Sequence, residues 1–457
     1  MKDTWKKNKI LQKKTKKTRK KRSVEICGNI ISKKEGWIVL KIYGAAFERG
    51  FAHGHLLKNE LKKVMYSLPF LVKKTLKTNM TTYLDTCKKE ISPIVEKSFN
   101  EFYLELSGIS AGAKSNGLTI SVDYLIAWNS FLSLGGYFTK AKAKTGDSKD
   151  EPTHCSAFIA VGDATENKGI VMAHATHCDI VSASMFNIVL YVTPIEGFEF
   201  CIQTCAGYIA SGADFFLSSS GIIGSETTIS YINYKQKFKG NYPYFCRIRK
   251  AIQYGKTLDD YSRIMLYKNS GDYANSWLFG DTNTNEIMLC EIGLKFHNIE
   301  KTKNGVFYGM NSAIGAELRK NETNDIWHTD VSRSSGSRGA RMNYLLNDKF
   351  YGRINSDSAR LIIADHYDIF TASDNPGSRS ICNHDYNKPP FYPWIAVDAK
   401  VCTTSLAKKM RFNGIFGSSC GTAFDKEKYI KQNPMYNDWK PYLRDLPRTQ
   451  WIFIKQS

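Results

Sequence analysis

The sequence TKAKAKTGDSKDEPTH at residues 139–154 runs directly into CSAFIAV at residues 155–161, and this junction decides how the rest of the chain is interpreted. The first segment is polar and charged and contains Gly and Pro, a composition typical of an exposed loop. The second segment is apolar and predicts a buried strand. Cys155 therefore opens a predicted buried strand directly after a predicted exposed loop.

Cys155 has two interpretations. An inert core thiol is the simpler one, because free cysteine is among the most buried residue types. The alternative is a nucleophile that is released when the chain is cut after His154. The thiol would attack the preceding carbonyl, and the resulting thioester would hydrolyse. The new α-amino group, with a pKa of about 7.7–8.0, could then take the thiol proton, which matters because only the thiolate attacks readily.

The chain on either side of the junction differs in character. On the carboxyl side, a hairpin at 162–168 is predicted to join the strand to a second one at 169–175. Beyond this hairpin, strands are predicted at 186–193, 198–204, 222–232, 276–280 and 286–291, and helices are predicted at 243–254 and 256–268. On the amino side, a strand at 36–43 precedes helical spacing over 56–107, and the Gly-rich piece 107–112 predicts a turn between helices.

These differences predict the organisation of the chain. A basic tail occupies residues 1–22, a mainly helical segment 23–154, and a β-rich segment 155–457, with 23–457 forming one domain. If the chain is cut after His154, the second segment becomes a light fragment and the third a heavy fragment.

The tail carries much of the charge of the protein. Residues 1–22 contain 12 Lys or Arg and one Asp, which is +11 of a net charge of +21 over 457 residues. Such a segment repels itself and has little apolar surface to bury, so we expect it to be disordered. It is either a solvated leader or a binding element for nucleic acid or an anionic membrane surface. It lacks the apolar core of a secretory signal peptide.

Cysteine usage and hydropathy restrict the class of protein. The 11 cysteines include no CxxC pair, and no His or Cys pair has zinc-finger spacing, so we expect mostly reduced thiols. The sequence gives no indication of a metal or an organic cofactor. No apolar run reaches the roughly 18 residues that would span a bilayer.

Several separated motifs give the chain a family resemblance. Cys155-Ser-Ala-Phe and the later run 171–177 resemble the phospholipase B-like proteins and the related penicillin-acyltransferase-type cysteine hydrolases, both of which are N-terminal-nucleophile hydrolases. The resemblance extends from about residue 47 to about residue 424 through the segments 216–229, 268–277, 364–368, 378–382 and 393–400. It departs at Ala175 and His177, where the family usually has Asn and Trp.

The resemblance implies an α+β fold, a four-layer αββα sandwich with two antiparallel sheets. It also implies hydrolysis of an acyl ester or amide bond, with a lipid as the expected substrate. An amidase or acyltransferase acting on a small acylated amine or peptide is an alternative, and so is a non-enzymatic basic packaged protein on a hydrolase scaffold. The familiar members of the family carry secretory signals, so the resemblance suggests a secreted or lysosomal location.

The resemblance also assigns roles to individual residues, and each has a structural alternative. Cys155 would be the nucleophile. Asn275 would hold the oxyanion, or it would be a turn residue. Asp179 would orient the new α-amino group, or it would be a solvated carboxylate at a strand end. His174 would line the site or be a core histidine, and Arg341 would bind a substrate carboxylate or phosphate or form a surface salt bridge.

Overall fold

The structure is a computed structural model that describes residues 25–138, 155–384 and 393–456. The predicted basic tail at 1–22 and the predicted loop at 139–154, which includes His154, lie outside these described residues.

Residues 46–138 fold mainly into helices. Their bounds are α1 (Ala46–Leu56), α2 (Lys58–Thr75), α3 (Met80–Glu90), α4 (Ser92–Ser98), α5 (Asn100–Ser115), α6 (Val122–Ser130) and α7 (Gly135–Phe138). In α2 the buried positions Leu61, Val64, Leu68 and Leu71 recur every three or four residues. This spacing places them on one face of the helix, so burial of that face rather than intrinsic helix propensity accounts for most of its stability.

The predicted turn at 107–112 is wrong, because these residues lie inside α5. Its glycines serve a helix crossing instead. A Cβ at Gly112 would lie 2.0 Å from the Phe51 carbonyl oxygen, and one at Gly50 would lie 2.0 Å from the Glu105 carbonyl oxygen. Only glycine permits α1 and α5 to approach this closely, and close packing holds both helices in place despite the low helix propensity of glycine.

The remaining regular structure is mostly β. In chain order the strands are β1 (Gly28–Lys34), β2 (Trp37–Gly44), β3 (Ser156–Gly162), β4 (Lys168–Ala175), β5 (His177–Asp179), β6 (Ile188–Pro194), β7 (Phe200–Thr204), β8 (Phe215–Ser218), β9 (Ile222–Thr228), β10 (Asn275–Asp281), β11 (Glu286–Ile292), β12 (His297–Thr302), β13 (Gly305–Gly309), β14 (Tyr367–Asp368), β15 (Ser373–Asp374), β16 (Trp394–Ala396), β17 (Asp398–Thr403), β18 (Phe412–Phe416) and β19 (Ile452–Ile454).

The strands form two large sheets. The first has nine strands in the order β1-β2-β6-β7-β8-β9-β10-β11-β12, and the second has six in the order β13-β3-β4-β17-β18-β19. Neighbours run antiparallel in both sheets, except that β2 and β6 are parallel. This parallel junction joins the strands before the helical segment to the strands after it. Two short pairs, β14 with β15 and β16 with β5, lie outside the large sheets.

Helices also lie among and after the strands. They are α8 (Ile180–Ala183), α9 (Tyr244–Tyr254), α10 (Leu258–Leu266), α11 (Ala316–Glu322), α12 (Ser334–Tyr344), α13 (Ser356–Ile363), α14 (Thr404–Ala407) and α15 (Lys426–Gln432). Within the described parts of the chain, none of the helices has both the length and the apolar character needed to cross a membrane.

The two sheets pack face to face between helical layers. Gly280 of β10 faces β3, because a Cβ there would lie 2.9 Å from Ile159 Cδ1. On the outer side of the first sheet, the rings of Phe216 and Tyr261 of α10 stack 5.6 Å apart. On the outer side of the second sheet, a separate apolar cluster joins Phe158 of β3 to Ile362 of α13. The predicted four-layer αββα sandwich is therefore confirmed.

Candidate active site

Cys155 lies directly before the first residue of β3, at one end of the sandwich. Alternation along the strand gives it the same orientation as Ala157 and Ile159, which belong to the core between the sheets, whereas Phe158 belongs to the outer cluster. Cys155 is only 5% exposed. The structure thus confirms the predicted buried strand, which begins at Ser156, directly after this cysteine.

A buried arginine holds the backbone at this position. Arg338 of α12 donates from Nη1 to the Cys155 carbonyl oxygen over 3.1 Å and to Ser156 Oγ over 3.0 Å. Its other terminal nitrogen, Nη2, donates to Asn311 Oδ1 over 2.8 Å. Burial lowers the pKa of Arg338 to about 10, so it remains a cation at neutral pH. Its contacts fix the orientation of the peptide group that follows the Cys155 side chain.

The thiol of Cys155 is neutral in the uncut chain. Burial raises its pKa to about 12, and the charge of Asp214 adds to the effect. The backbone N–H of His177, which donates to the sulfur, and the cation of Lys400 act in the opposite direction. The sulfur therefore has groups nearby that would stabilise a thiolate, but it needs a base to become one.

A buried Lys–Asp pair, which sequence reasoning missed, lies beside the thiol. Lys400 donates from Nζ to Asp398 Oδ1 over 2.6 Å and to Thr176 Oγ1 over 2.9 Å. Gln203 donates to the other carboxylate oxygen over 2.7 Å. Both charged side chains are fully buried on β17. The signal in the sequence was a lysine and an aspartate inside the apolar run 393–402, where a solvated charge would not be expected.

Asp179 lies two residues after His177, whose backbone N–H donates to the Cys155 sulfur. It ends β5, which pairs with β16 through Trp394, and it caps α8 by accepting from the Ser182 N–H over 2.8 Å. Burial raises the pKa of Asp179, although the N–H donors of the capped turn oppose the change. It is 2% exposed, so the alternative of a solvated carboxylate is wrong. Orientation of an α-amino group by Asp179 stays a prediction.

His174 connects the two sheets near Cys155. It lies opposite Ala157 in the β3–β4 pairing, and its Nε2 donates to the Glu226 carbonyl oxygen of β9 over 2.9 Å. Its Nδ1 has no hydrogen-bond partner among the described residues. Burial lowers the pKa of His174 well below its usual value, and Lys400 lowers it further, so the ring is neutral. Its geometry is that of a group bridging the sheets, and a direct chemical role stays a prediction.

Asn275 is the first residue of β10 and is 1% exposed, so it is not a turn residue. Neither its Oδ1 nor its Nδ2 has a hydrogen-bond partner in the parts of the chain that the structure describes. It pairs in register with Thr228, whose hydroxyl bonds the Tyr273 hydroxyl at 2.5 Å. Burial, Asp214 and Glu226 raise the pKa of Tyr273, and a Cys155 thiolate would add to the effect. Asn275 therefore lies at the same end of the sandwich as Cys155, and its oxyanion role stays a prediction.

Two buried carboxyl groups complete this end of the sandwich. Asp214 accepts from the Tyr244 hydroxyl over 3.1 Å, and Tyr273 lies 3.4 Å from both Asp214 Oδ2 and Glu226 Oε2. Burial raises the pKa of Asp214 to about 6. Burial and the neighbouring Asp214 raise the pKa of Glu226 well above its usual value, so Glu226 is the member of the pair that favours the protonated form.

Arg341 lies apart from this group. Its Nε and Nη2 donate to the two carboxylate oxygens of Asp365 over 2.9 and 2.7 Å, and its guanidinium stacks on Tyr367 at 4.4 Å. The two donors of Arg341 that were predicted to bind a substrate anion thus bind the carboxylate of Asp365 instead. Of the two arginines in the segment 337–341, Arg338 contacts Cys155, while substrate binding by Arg341 stays a prediction.

A four-layer αββα sandwich with a buried cysteine at the head of an inner strand defines the class of hydrolases with the N-terminal-nucleophile fold. Residues 56–327 match the family described as Phospholipase B. The chain belongs to the phospholipase B family, and it is a hydrolase of this fold class. No curated protein matches it in sequence.

Solved structures with similarity to the chain include a penicillin V acylase and a conjugated bile acid hydrolase. Penicillin V acylase from Agrobacterium tumefaciens is 15% identical, over 57% of this chain and 82% of its own, with a TM-score of 0.35. A mutant of the conjugated bile acid hydrolase from Clostridium perfringens is 10% identical, over 66% of this chain and 97% of its own, with a TM-score of 0.35.

Proposed function

We propose that this protein hydrolyses acyl ester or amide bonds of lipids, with Cys155 as an N-terminal nucleophile that forms when the bond after His154 is cut. The observation that carries the proposal is the environment of the Cys155 sulfur. It is a neutral buried thiol that accepts from the His177 backbone N–H and lies beside the Lys400 cation. These groups favour the thiolate once a base is present.

The proposed maturation uses the same sulfur. The Cys155 thiol attacks the carbonyl carbon of His154, the C–N bond breaks, and the acyl group moves to sulfur. The thiol proton passes to the nitrogen, which becomes a free amine. Water then hydrolyses the thioester, which releases a carboxylate at His154 and restores the thiol. Arg338 supports this step because it fixes the carbonyl on the other side of Cys155, so the backbone on that side does not move as the bond is strained.

The proposed hydrolysis repeats this chemistry on a substrate. The new α-amino group accepts the thiol proton, the sulfur attacks the acyl carbon, and the oxygen of the tetrahedral intermediate becomes an anion. The Asn275 amide, which is buried without an internal partner in the described chain, is free to donate to that oxygen. The ammonium group returns its proton to the departing alcohol or amine. Water then releases the fatty acid from the thioester.

The experiment measures fatty acid release from matched substrates. The purified protein is incubated with phosphatidylcholine vesicles, with the corresponding lysolipid, and with an N-acyl amine that has the same acyl chain. Intact mass and N-terminal sequencing are recorded on the same sample. We expect a fragment that begins at Cys155 and fatty acid release that is lost in Cys155→Ala.

Two controls make the outcome decisive. Cys290→Ala removes another fully buried thiol, on β11, and leaves the predicted nucleophile and Asp179 in place. It should retain both cleavage and release. Release that persists in Cys155→Ala would contradict the proposed nucleophile, and release from the N-acyl amine alone would contradict the lipid ester as the substrate.

A further inference from the structure

A cluster of imidazole and thiol groups lies outside the candidate active site. His366, His384 and Cys420 each offer one ligand atom, and these atoms lie within 4.8 Å of one another. The residues come from three separate segments: the start of the β14–β15 hairpin, the turn that ends at 384, and the turn after β18. Their separation in the chain explains why no zinc-binding spacing is visible in the sequence.

We propose that His366, His384 and Cys420 bind a zinc ion, with Cys382 as the fourth ligand. Two imidazoles and two thiolates form a common set for a structural zinc site, and this mixture of nitrogen and sulfur donors favours zinc over magnesium or calcium. The Cys382 thiol donates a hydrogen bond to the Cys420 sulfur, so a second sulfur contacts one of the three clustered residues and can reach the fourth position by a side-chain rotation.

The geometry requires only small adjustments of the side chains. Zinc–nitrogen and zinc–sulfur bonds of about 2.0–2.3 Å place tetrahedral ligand atoms roughly 3.3–3.8 Å apart. The three clustered atoms lie within 4.8 Å, so side-chain rotations of about an ångström bring them to bonding distance. The two imidazole rings are 4.8 Å apart between centroids and inclined at 81°. They therefore do not stack and can both approach one ion.

The surroundings also fit a metal site. The His366 side chain hydrogen-bonds the Cys420 thiol, and its Nδ1 lies 3.8 Å from Asp374 Oδ1. A carboxylate on the far nitrogen of a histidine is the usual outer contact of a zinc ligand. The Cys420 sulfur lies 3.4 Å from Ser418 Oγ and 3.2 Å from Thr422 Oγ1. The Ser418 hydroxyl already donates to the Thr422 carbonyl oxygen over 2.9 Å, and the Thr422 hydroxyl can donate to a metal-bound thiolate.

The position of the cluster gives the ion a structural role. Asn383 accepts from the backbone N–H of Ala396 in β16 over 3.0 Å, and β16 pairs with β5, which contains His177. An ion bound at 366, 384 and 420 would tie three segments together behind this short strand pair. It would thus stabilise the backbone that directs the His177 N–H at Cys155, without contacting the substrate.

The test uses the full-length protein prepared under reducing conditions. Metal content is measured after dialysis, and the metal-free protein is then titrated with Co²⁺, which reports tetrahedral thiolate coordination through its visible absorption bands. The variants are His366→Ala, His384→Ala and Cys420→Ser. The matched controls are Cys27→Ser and His55→Ala, which replace another partly exposed cysteine and another histidine away from the cluster.

We expect one equivalent of zinc per chain, cobalt bands of a tetrahedral thiolate complex, and a rise in Tm when zinc is restored. Each cluster variant should lose these signals, and both controls should keep them. Metal binding that survives in Cys420→Ser would overturn the proposal. So would reduced protein that binds neither ion, or peptide mapping that finds a Cys382–Cys420 disulfide as the native state.

Discussion

Replacing Asn275 by alanine should change activity and stability in opposite ways. If its amide stabilises the oxyanion, its loss should lower kcat by about 10²–10³, which corresponds to about 2.7–4 kcal/mol of transition-state stabilisation. A residue with a purely structural role would instead lower the free energy of unfolding when truncated. The two roles can therefore be separated by measuring both quantities on one variant.

The expected stability follows from the environment of the amide. Both polar atoms of Asn275 are buried and have no internal partner in the described chain, which costs the folded state about 1–3 kcal/mol. Truncation relieves that cost but leaves a cavity. For a lost volume of about 30 Å³ at about 24 cal/mol per Å³, the cavity costs about 0.7 kcal/mol. The free energy of unfolding of Asn275→Ala should thus equal or exceed that of the wild type.

Asn129→Ala is the matched control. Asn129 is equally buried, but its Nδ2 donates to the carbonyl oxygens of Leu125 and Gly207 over 2.8 Å each, and its Oδ1 accepts from the Ile209 N–H over 2.9 Å. Truncation leaves buried backbone groups without partners, so it should lower the free energy of unfolding by at least about 2 kcal/mol. It should leave kcat and KM of the folded enzyme unchanged.

The assays are urea unfolding at neutral pH and initial rates on the best substrate of the lipid panel. Asn275→Ala should lose kcat with little change in KM, because the amide contacts the oxyanion and not the ground-state carbonyl. Wild-type kcat in this variant would refute the oxyanion role. A loss of stability as large as that of Asn129→Ala would refute the reasoning from the unpaired amide.

Three further predictions concern maturation, the tail and a buried ion cluster. Cys155→Ala should remain a single full-length chain on a denaturing gel, and cutting after His154 in this variant would show that another group performs the scission. Deletion of residues 1–22 should leave hydrolysis unchanged but weaken binding to anionic vesicles or DNA and reduce its salt dependence, and unchanged binding would remove the tail as the partner-binding element. Burial alone would raise the pKa of Glu105, but Arg249 and Arg49 outweigh it and hold the pKa at about 2, against 4.5 unperturbed. A carboxyl group whose pKa is depressed in the folded state stabilises the fold at pH values above its pKa in the unfolded state. Glu105→Gln should therefore lower the free energy of unfolding by about 3 kcal/mol near pH 7, and this loss should fade as the pH falls from about 4.5 to about 2. A loss of stability that does not depend on pH would contradict the ion-pair explanation.

The fold could be anticipated from the sequence where local pattern and tertiary environment agree. The segment 155–161 alternates between two buried faces, and the helix predicted at 243–254 lies at Tyr244–Tyr254. The prediction failed at 107–112, because glycines that allow two helices to touch have the same composition as glycines in a turn. Only the partner helix distinguishes the two cases, and it lies more than fifty residues earlier in the chain.

The site was anticipated less completely. Cys155 stood out because a strand and a loop met at it, which is a local property of the sequence. The groups around it, Arg338, Asp398 and Lys400, come from segments about 180–250 residues later. Asp398 and Lys400 meet the cysteine through the pairing of β3, β4 and β17, and Arg338 meets it through the packing of α12 against β3. A single sequence contains no information on that pairing beyond the unusual presence of charge in an apolar run.

The parallel pairing of β2 with β6 has a consequence for the reversibility of unfolding after the chain is cut. Residues 38–44 pair with residues 188–194, so a strand from before residue 154 is built into the interior of the nine-stranded sheet. While the chain is continuous, this strand is tethered and can return after unfolding. If the chain is cut after His154, the same pairing becomes an encounter between two separate molecules, which depends on concentration and competes with aggregation. The mature protein would then show hysteresis, in which heating and cooling curves superimpose for uncut Cys155→Ala and diverge for the cut protein.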